Sequence, residues 1–494
     1  MLVHRARSLA LTAGVLVTAP TLAAGAGPGA PGIGDAYYPD YGNGGYDVSH
    51  YDLRLKYRPG GDRLEGTATI LATATQDLTR FDLDFALPVS SVTVNGRPAR
   101  HVSARSHELV VTPPATLPRG RPVTIVVRYA GTPSQVKVDG RTKWQRTADG
   151  AVAAGEPEMA WWWFPSNDHP LDKATYDVSI EVPQGTTAIS NGLLTGRTSR
   201  FGWTRYTWRE ARPQASYLAT LAIGGFDLRT GTSHGGVPVV TAYSTRLGSG
   251  GGAARASVER TGEIVDWAAG VFGPYPFDTA GGYVPQTTAR FALESQTRVF
   301  YSPAFFVRGS NLYVVVHENA HQWFGDSVSV ASWRNTWLNE GFATYAEWLW
   351  SEKQGEGTAR ELAAYTYSRH PVTDPFWQVK PGDPGKGREF HEAVYDRGAL
   401  TLQALRETVG DGVFFRVLRE WPTAKKYGNA TIEEFVAFAG RISGSRLDPL
   451  FQTWLFTAGR PPAPAGWMTG PAERRAVIPP GSWATIHRGH GTAR

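Results

Sequence analysis

The sequence predicts an α+β protein in which a large, mostly antiparallel β region precedes a mainly helical one. Two observations carry this. From Tyr46 to about Leu228, apolar and polar residues alternate in short runs rich in β-branched and aromatic side chains, with turn residues between them. Beyond about residue 250 the apolar residues recur every three to four positions, which is the rhythm of helices.

The β region is read from segments such as Tyr51-Asp-Leu-Arg-Leu-Lys-Tyr57, Val92-Thr-Val-Asn-Gly96 and Val123-Thr-Ile-Val-Val-Arg-Tyr129. Successive side chains of a strand face opposite sides, so alternation marks strands with one buried face. Asn95-Gly96, Pro59-Gly60 and Asn191-Gly192 supply the turns. Helices are expected over 257–272, 312–324, 338–353, 389–408, 413–421 and 432–441, the first ended by Gly273-Pro274. The domain organisation that follows is a leader over 1–26, a Gly/Pro/Tyr-rich mobile linker over 27–46, and a β domain over 47–229. A mainly helical domain over 230–460 and a loosely ordered tail over 461–494 complete it.

The 494 residues are 41% hydrophobic and 19% charged, ample for large cores and unlike a disordered chain. A net charge of +6 with Lys and Arg scattered argues against nucleic-acid binding. With no cysteine, thiol catalysis, thiolate-bound zinc and iron–sulfur clusters are excluded. His4, Arg5 and Arg7, then an apolar stretch from Leu9 to Ala19, then Ala24 and Ala26, have the pattern of a secretory signal peptide. That apolar stretch is far short of the ~20 residues that span a bilayer. A secreted, extracellular protein without stable membrane association is therefore expected; oligomeric state is not specified.

The decisive segment is Val314-Val-Val-His317-Glu318-Asn319-Ala320-His321. Two histidines at i and i+4 lie one turn apart on one helix face, so both imidazoles can reach one ion. Catalytic zinc commonly takes three protein ligands and keeps a position for water. Glu340, in Trp337-Leu-Asn-Glu340-Gly-Phe at the start of the next helix, supplies the third, because a carboxylate amid such apolar neighbours needs a partner. Glu318 can then stand beside the water as general base. Imidazole and carboxylate ligands suit one zinc ion.

With these motifs the chain resembles the gluzincin aminopeptidases, the family of aminopeptidase N and leukotriene hydrolase, over roughly 47–460. The resemblance implies a saddle-shaped β domain followed by a thermolysin-like catalytic domain. It also implies peptide substrates with a free amino terminus. Phe291-Ala-Leu-Glu294-Ser295 stands where the family has G-x-M-E-N, whose Glu grips the substrate amine. Glu156, in Gly155-Glu-Pro157, matches a β-domain residue that faces the same amine. Ala393-Val-Tyr395-Asp-Arg-Gly398 resembles the stretch whose Tyr donates to the oxyanion.

The chain departs from the family pattern at Phe291, Ser295 and Asn319, which bears on peptide binding more than on zinc chemistry. It ends soon after Phe451-Gln-Thr-Trp-Leu455, short of the large C-terminal helical domain of many members, so a more open cleft is expected. The leading reading is release of single N-terminal residues. Alternatives are the same zinc site used as an epoxide hydrolase or an endopeptidase, or an inactive secreted binding protein on a peptidase scaffold.

Overall fold

The structure, a computed structural model, describes residues 25–104, 107–138, 140–465, 467 and 478–487. The expected leader therefore lies outside the described residues, its last two apart. Among the described residues no helix is long and apolar enough to cross a membrane.

An 11-stranded sheet forms the body of the N-terminal domain. Its strand Tyr46–Arg58 buries Tyr51, Leu53, Leu55 and Tyr57 in strict alternation. A register shift between Val48 and His50 lets Val48, three residues before Tyr51, share the buried face. This strand pairs antiparallel with Arg63–Ala74 on one side and parallel with Ala174–Pro183 on the other. The sheet is thus mostly antiparallel, as expected, with a parallel pair inside it. The long connection between Gly131 and Ala174 adds strands Trp144–Arg146 and Ala151–Ala153 to a second, 4-stranded sheet. Glu156 follows directly from that second strand.

The catalytic domain opens on a 5-stranded mixed sheet that the sequence reading did not anticipate. Its strands Ala280–Val284, Ala292–Leu293 and Val299–Tyr301 are too short and too uniformly apolar to show a period of two. The boundary placed at 229/230 falls inside the strand Phe226–Thr232. Helices follow at Leu312–Ala320, Trp337–Gln354, Ala359–Arg369, Glu392–Val409, Asp411–Ala424 and Ile432–Ser443. The first ends at Ala320 and continues as turns, four residues short of the expected 312–324. Ala359–Arg369 was not expected; its capping box, Thr358 with Glu361, is the start signal.

Two glycines bring the site helices together. A Cβ on Gly398 would meet the Cα of Gly341 at 3.0 Å and the Trp337 ring at 2.7 Å. The helices Trp337–Gln354 and Glu392–Val409 therefore cross at a contact only glycine allows, which sets Glu340 near Tyr395.

Residues 27–46 are a strap across both domains. Asp35 Oδ2 accepts from Trp333 N at 2.8 Å and lies 3.1 Å from His169 Nε2. Tyr37 is buried, and its hydroxyl donates to Asp383 Oδ1 at 2.5 Å. Gly and Pro let this segment bend, while its tyrosines supply buried area and hydroxyl partners. Trp467 and Ile486, in the stretch expected to be loosely ordered, are likewise buried in the helical domain's core. Large apolar side chains, not periodicity, anchor them there.

Candidate metal centre and active site

The helix Leu312–Ala320 starts at Asn311, whose side chain accepts from Tyr313 N and Val314 N, and every residue from Tyr313 to Ala320 is buried. That fixes His317, Glu318 and His321 in the interior. His317 Nε2 lies 3.3 Å from Glu340 Oε2, and His321 Nε2 lies 3.5 Å from the same oxygen. Ligand atoms of the three residues lie within 4.8 Å of one another, as metal ligands require. The far nitrogen of each ring is occupied: His317 Nδ1 is 2.6 Å from Glu347 Oε1, and His321 Nδ1 is 3.0 Å from the Phe324 carbonyl oxygen. Each ring therefore turns Nε2 inward, the arrangement that second partners give metal-bound imidazoles.

The electrostatics also call for a cation. Burial disfavours charge on Glu340, yet both histidines outweigh it and hold that carboxyl at about 2. Burial works against His317 too, but Glu340 and Glu347 push it up to about 9. A dication can replace the protons these rings would otherwise hold. The donor set of two imidazoles and one carboxylate fits zinc.

Around the centre stand the remaining expected residues. Glu318 is buried, and burial with Glu294 and Glu340 nearby pushes its carboxyl to about 8 against the pull of the two histidines. Glu294, Glu318 and His321 bring ligand atoms within 4.8 Å of one another. Glu156 is raised well above its ordinary value by burial and then by the charges of Glu294 and Glu340. The Tyr395 ring stacks on His317, with centroids 6.1 Å apart and planes at 19°. All seven residues singled out in the sequence thus converge on one site. His391 caps the Glu392–Val409 helix by accepting from Ala393 N.

Sequence reasoning missed three residues that hold the site. Glu347 lies seven positions after Glu340, two helical turns along the same face, a spacing that was available to find it. Lys143 donates from Nζ to the Glu156 carbonyl at 2.5 Å and pairs with Glu158 Oε1 at 3.0 Å. Tyr217 donates from its hydroxyl to Glu294 Oε1 at 3.1 Å. Nothing near Lys143 or Tyr217 in the sequence signals these contacts. Two of the three departures are accommodated, while the Ser295 hydroxyl is buried without a hydrogen-bond partner among the described residues. Asn319 Nδ2 donates to Tyr301 Oη at 3.1 Å and to the Val315 carbonyl at 2.7 Å. Phe291 packs 5.2 Å from the Phe300 ring.

A His-Glu-x-x-His helix with a distal glutamate, set behind a β domain, defines a metallopeptidase of the gluzincin class. Comparison with known proteins narrows this. The sequence matches the Peptidase M1 N-terminal domain over residues 48–218 and the Peptidase family M1 domain over residues 291–454. The crystal structure of an M1 zinc metallopeptidase from Deinococcus radiodurans superimposes with a TM-score of 0.78 at 32% identity, covering 88% of this chain and 98% of that one. A variant of the same protein has been solved bound to a Tyr-Ser-Ala substrate. Aminopeptidase M1-D of Oryza sativa subsp. japonica is 25% identical over 83% of this chain and 50% of its own length. Aminopeptidase B of Rattus norvegicus is 27% identical over 64% of this chain and 51% of its own. The chain thus spans about half the length of these curated relatives. It belongs to peptidase family M1, with that family's zinc-metallopeptidase fold.

Proposed function

We propose that the protein is an exported aminopeptidase that removes single residues from the amino termini of peptides. The observation that carries this is the buried acid Glu294 beside His321 and Glu318 at the His317–His321–Glu340 triad, with the partly buried Glu156 as its electrostatic neighbour. Two carboxylates facing an ammonium make charge-assisted hydrogen bonds and leave unpaired charge when the amine is blocked. Their distance from the metal ligands fixes how many residues fit before the scissile bond. Substrate binding by the Deinococcus radiodurans relative, and the aminopeptidase relatives, support the same reading.

In that reaction His317, His321 and Glu340 hold the zinc, which when bound acts as a Lewis acid on the scissile carbonyl and acidifies water. Glu318, kept weakly acidic by burial, takes the proton of the attacking water and returns it to the leaving amine. Tyr395 donates its hydroxyl hydrogen to the oxygen on which charge develops, an interaction strongest in the transition state. Glu294 and Glu156 hold the amine so that the first peptide bond meets Glu318. Export is supported by the basic, apolar and small-residue order of 1–26.

Glu318→Gln tests the mechanism. The substitution preserves shape and leaves the metal ligands intact, so the variant should bind one zinc and lose about 10²–10⁴ in kcat. A variant with zinc and near-normal turnover would remove Glu318 from the reaction.

A further inference from the structure

A tyrosine of the β domain stands behind the proposed amine anchor. Tyr217 is 1% exposed and sits in the 3-10 turn Ser216–Leu218, with its hydroxyl directed at Glu294 Oε1. The turn is held from several sides. The Ser216 hydroxyl donates to Asp168 Oδ1 at 2.6 Å, and the Tyr217 ring meets Trp333 of the catalytic domain edge-on, with centroids 5.2 Å apart. Asn191 Nδ2 donates both to the Leu218 carbonyl at 2.9 Å and to the Gln296 carbonyl at 2.7 Å. Asn191 thereby ties the turn to the loop that carries Glu294.

The same loop is tied to the zinc-ligand segment. Gln322, the residue after His321, donates from Nε2 to the Glu294 carbonyl at 3.0 Å and accepts from Thr297 N at 2.9 Å. The backbone of Glu294 is thus fixed relative to the metal ligands. Its side chain, with rotatable bonds of its own, takes its direction from the Tyr217 hydroxyl.

We propose that Tyr217 is a positioning residue for the substrate amine: it occupies one oxygen of Glu294 and leaves the remaining acceptor capacity for the incoming ammonium. The proposal rests on the reading that Glu294 binds that amine. A side chain left to wander must be ordered when substrate binds, and a charge-assisted hydrogen bond that orders it beforehand removes that cost. The β domain then contributes to amine affinity through Tyr217 as well as through Glu156.

The test uses the zinc-loaded full chain and two probes, leucine hydroxamate and its des-amino counterpart, 4-methylpentanoyl hydroxamate. Both can chelate the metal, but only the first carries the amine. Dissociation constants are measured for the wild type, Tyr217→Phe, Glu294→Gln and the double variant. Tyr217→Phe should weaken leucine hydroxamate about tenfold and leave the des-amino probe unaffected. In the Glu294→Gln background it should have no further effect, because its partner charge is gone. Equal weakening of both probes, an unchanged affinity for leucine hydroxamate, or an effect that persists without Glu294 would each overturn the role. A wild type that binds both probes alike would instead refute amine anchoring itself, and Tyr217's part with it.

Discussion

Glu347 Oε1 lies 2.6 Å from His317 Nδ1, on the side of the ring away from Glu340. The carboxylate fixes the tautomer that leaves Nε2 free to ligate, and it raises the basicity of the ring. Removing it leaves the ligand itself in place. Glu347→Gln should therefore weaken zinc about 10–100-fold. Competition against a chromophoric chelator measures this, and unchanged affinity would show that the pair only packs the helix.

The helix crossing at Gly341 and Gly398 predicts a second outcome. Gly398→Ala places a methyl 3.0 Å from the Gly341 Cα and 2.7 Å from the Trp337 ring, both buried. The helices must separate, at a cost of about 1–3 kcal/mol, and Tyr395 moves relative to Glu340. Melting temperature and kcat should fall together; a variant that loses stability while keeping kcat would show that the crossing does not position Tyr395.

Asp35 predicts that the strap holds the domain seam. Asp35→Ala removes the acceptor of the buried Trp333 N and the partner of His169, so about 2–4 kcal/mol of stability should be lost. Denaturant unfolding measures the loss, and an effect below about 0.5 kcal/mol would show the strap to be a passive cover.

Glu210 makes stability depend on pH. It accepts from Arg212 N at 3.0 Å and from the Thr297 hydroxyl at 3.1 Å, and burial raises its carboxyl from 4.5 to about 7. Because the folded value lies above the unfolded one, its contribution is fully present below about 4.5 and is lost as pH rises through about 7. Gln cannot titrate, so the melting temperature of Glu210→Gln relative to wild type should climb between pH 5 and 8. A difference that stays flat across that range would contradict the shift.

The order of the two domains and the two histidines of the site were legible because each rests on local pattern, whereas Glu294, Glu156 and Tyr395 entered only through the family resemblance. Alternation marks Tyr51 to Tyr57, and i, i+4 spacing marks His317 and His321. What the sequence hid depends on contacts distant in the chain. Asp35 meets Trp333, and Tyr217 meets Glu294, through packing that no local period encodes. The strap was read as a linker because Gly and Pro dominate its composition, although Tyr37 and Asp35 decide its structure. The short strands Ala280–Val284 and Ala292–Leu293 before Glu294 escaped because buried runs of a few apolar residues carry no period.

The central claim is that this zinc site acts on the first peptide bond of chains with a free amine. Its most direct test is hydrolysis of a panel of aminoacyl-aminomethylcoumarins by the purified protein, each paired with its N-acetylated form, with and without a chelator. The account predicts release from the free-amine substrates alone, abolished by chelation and restored by added zinc. Equal cleavage of the acetylated substrates, or release that survives removal of the metal, would contradict it.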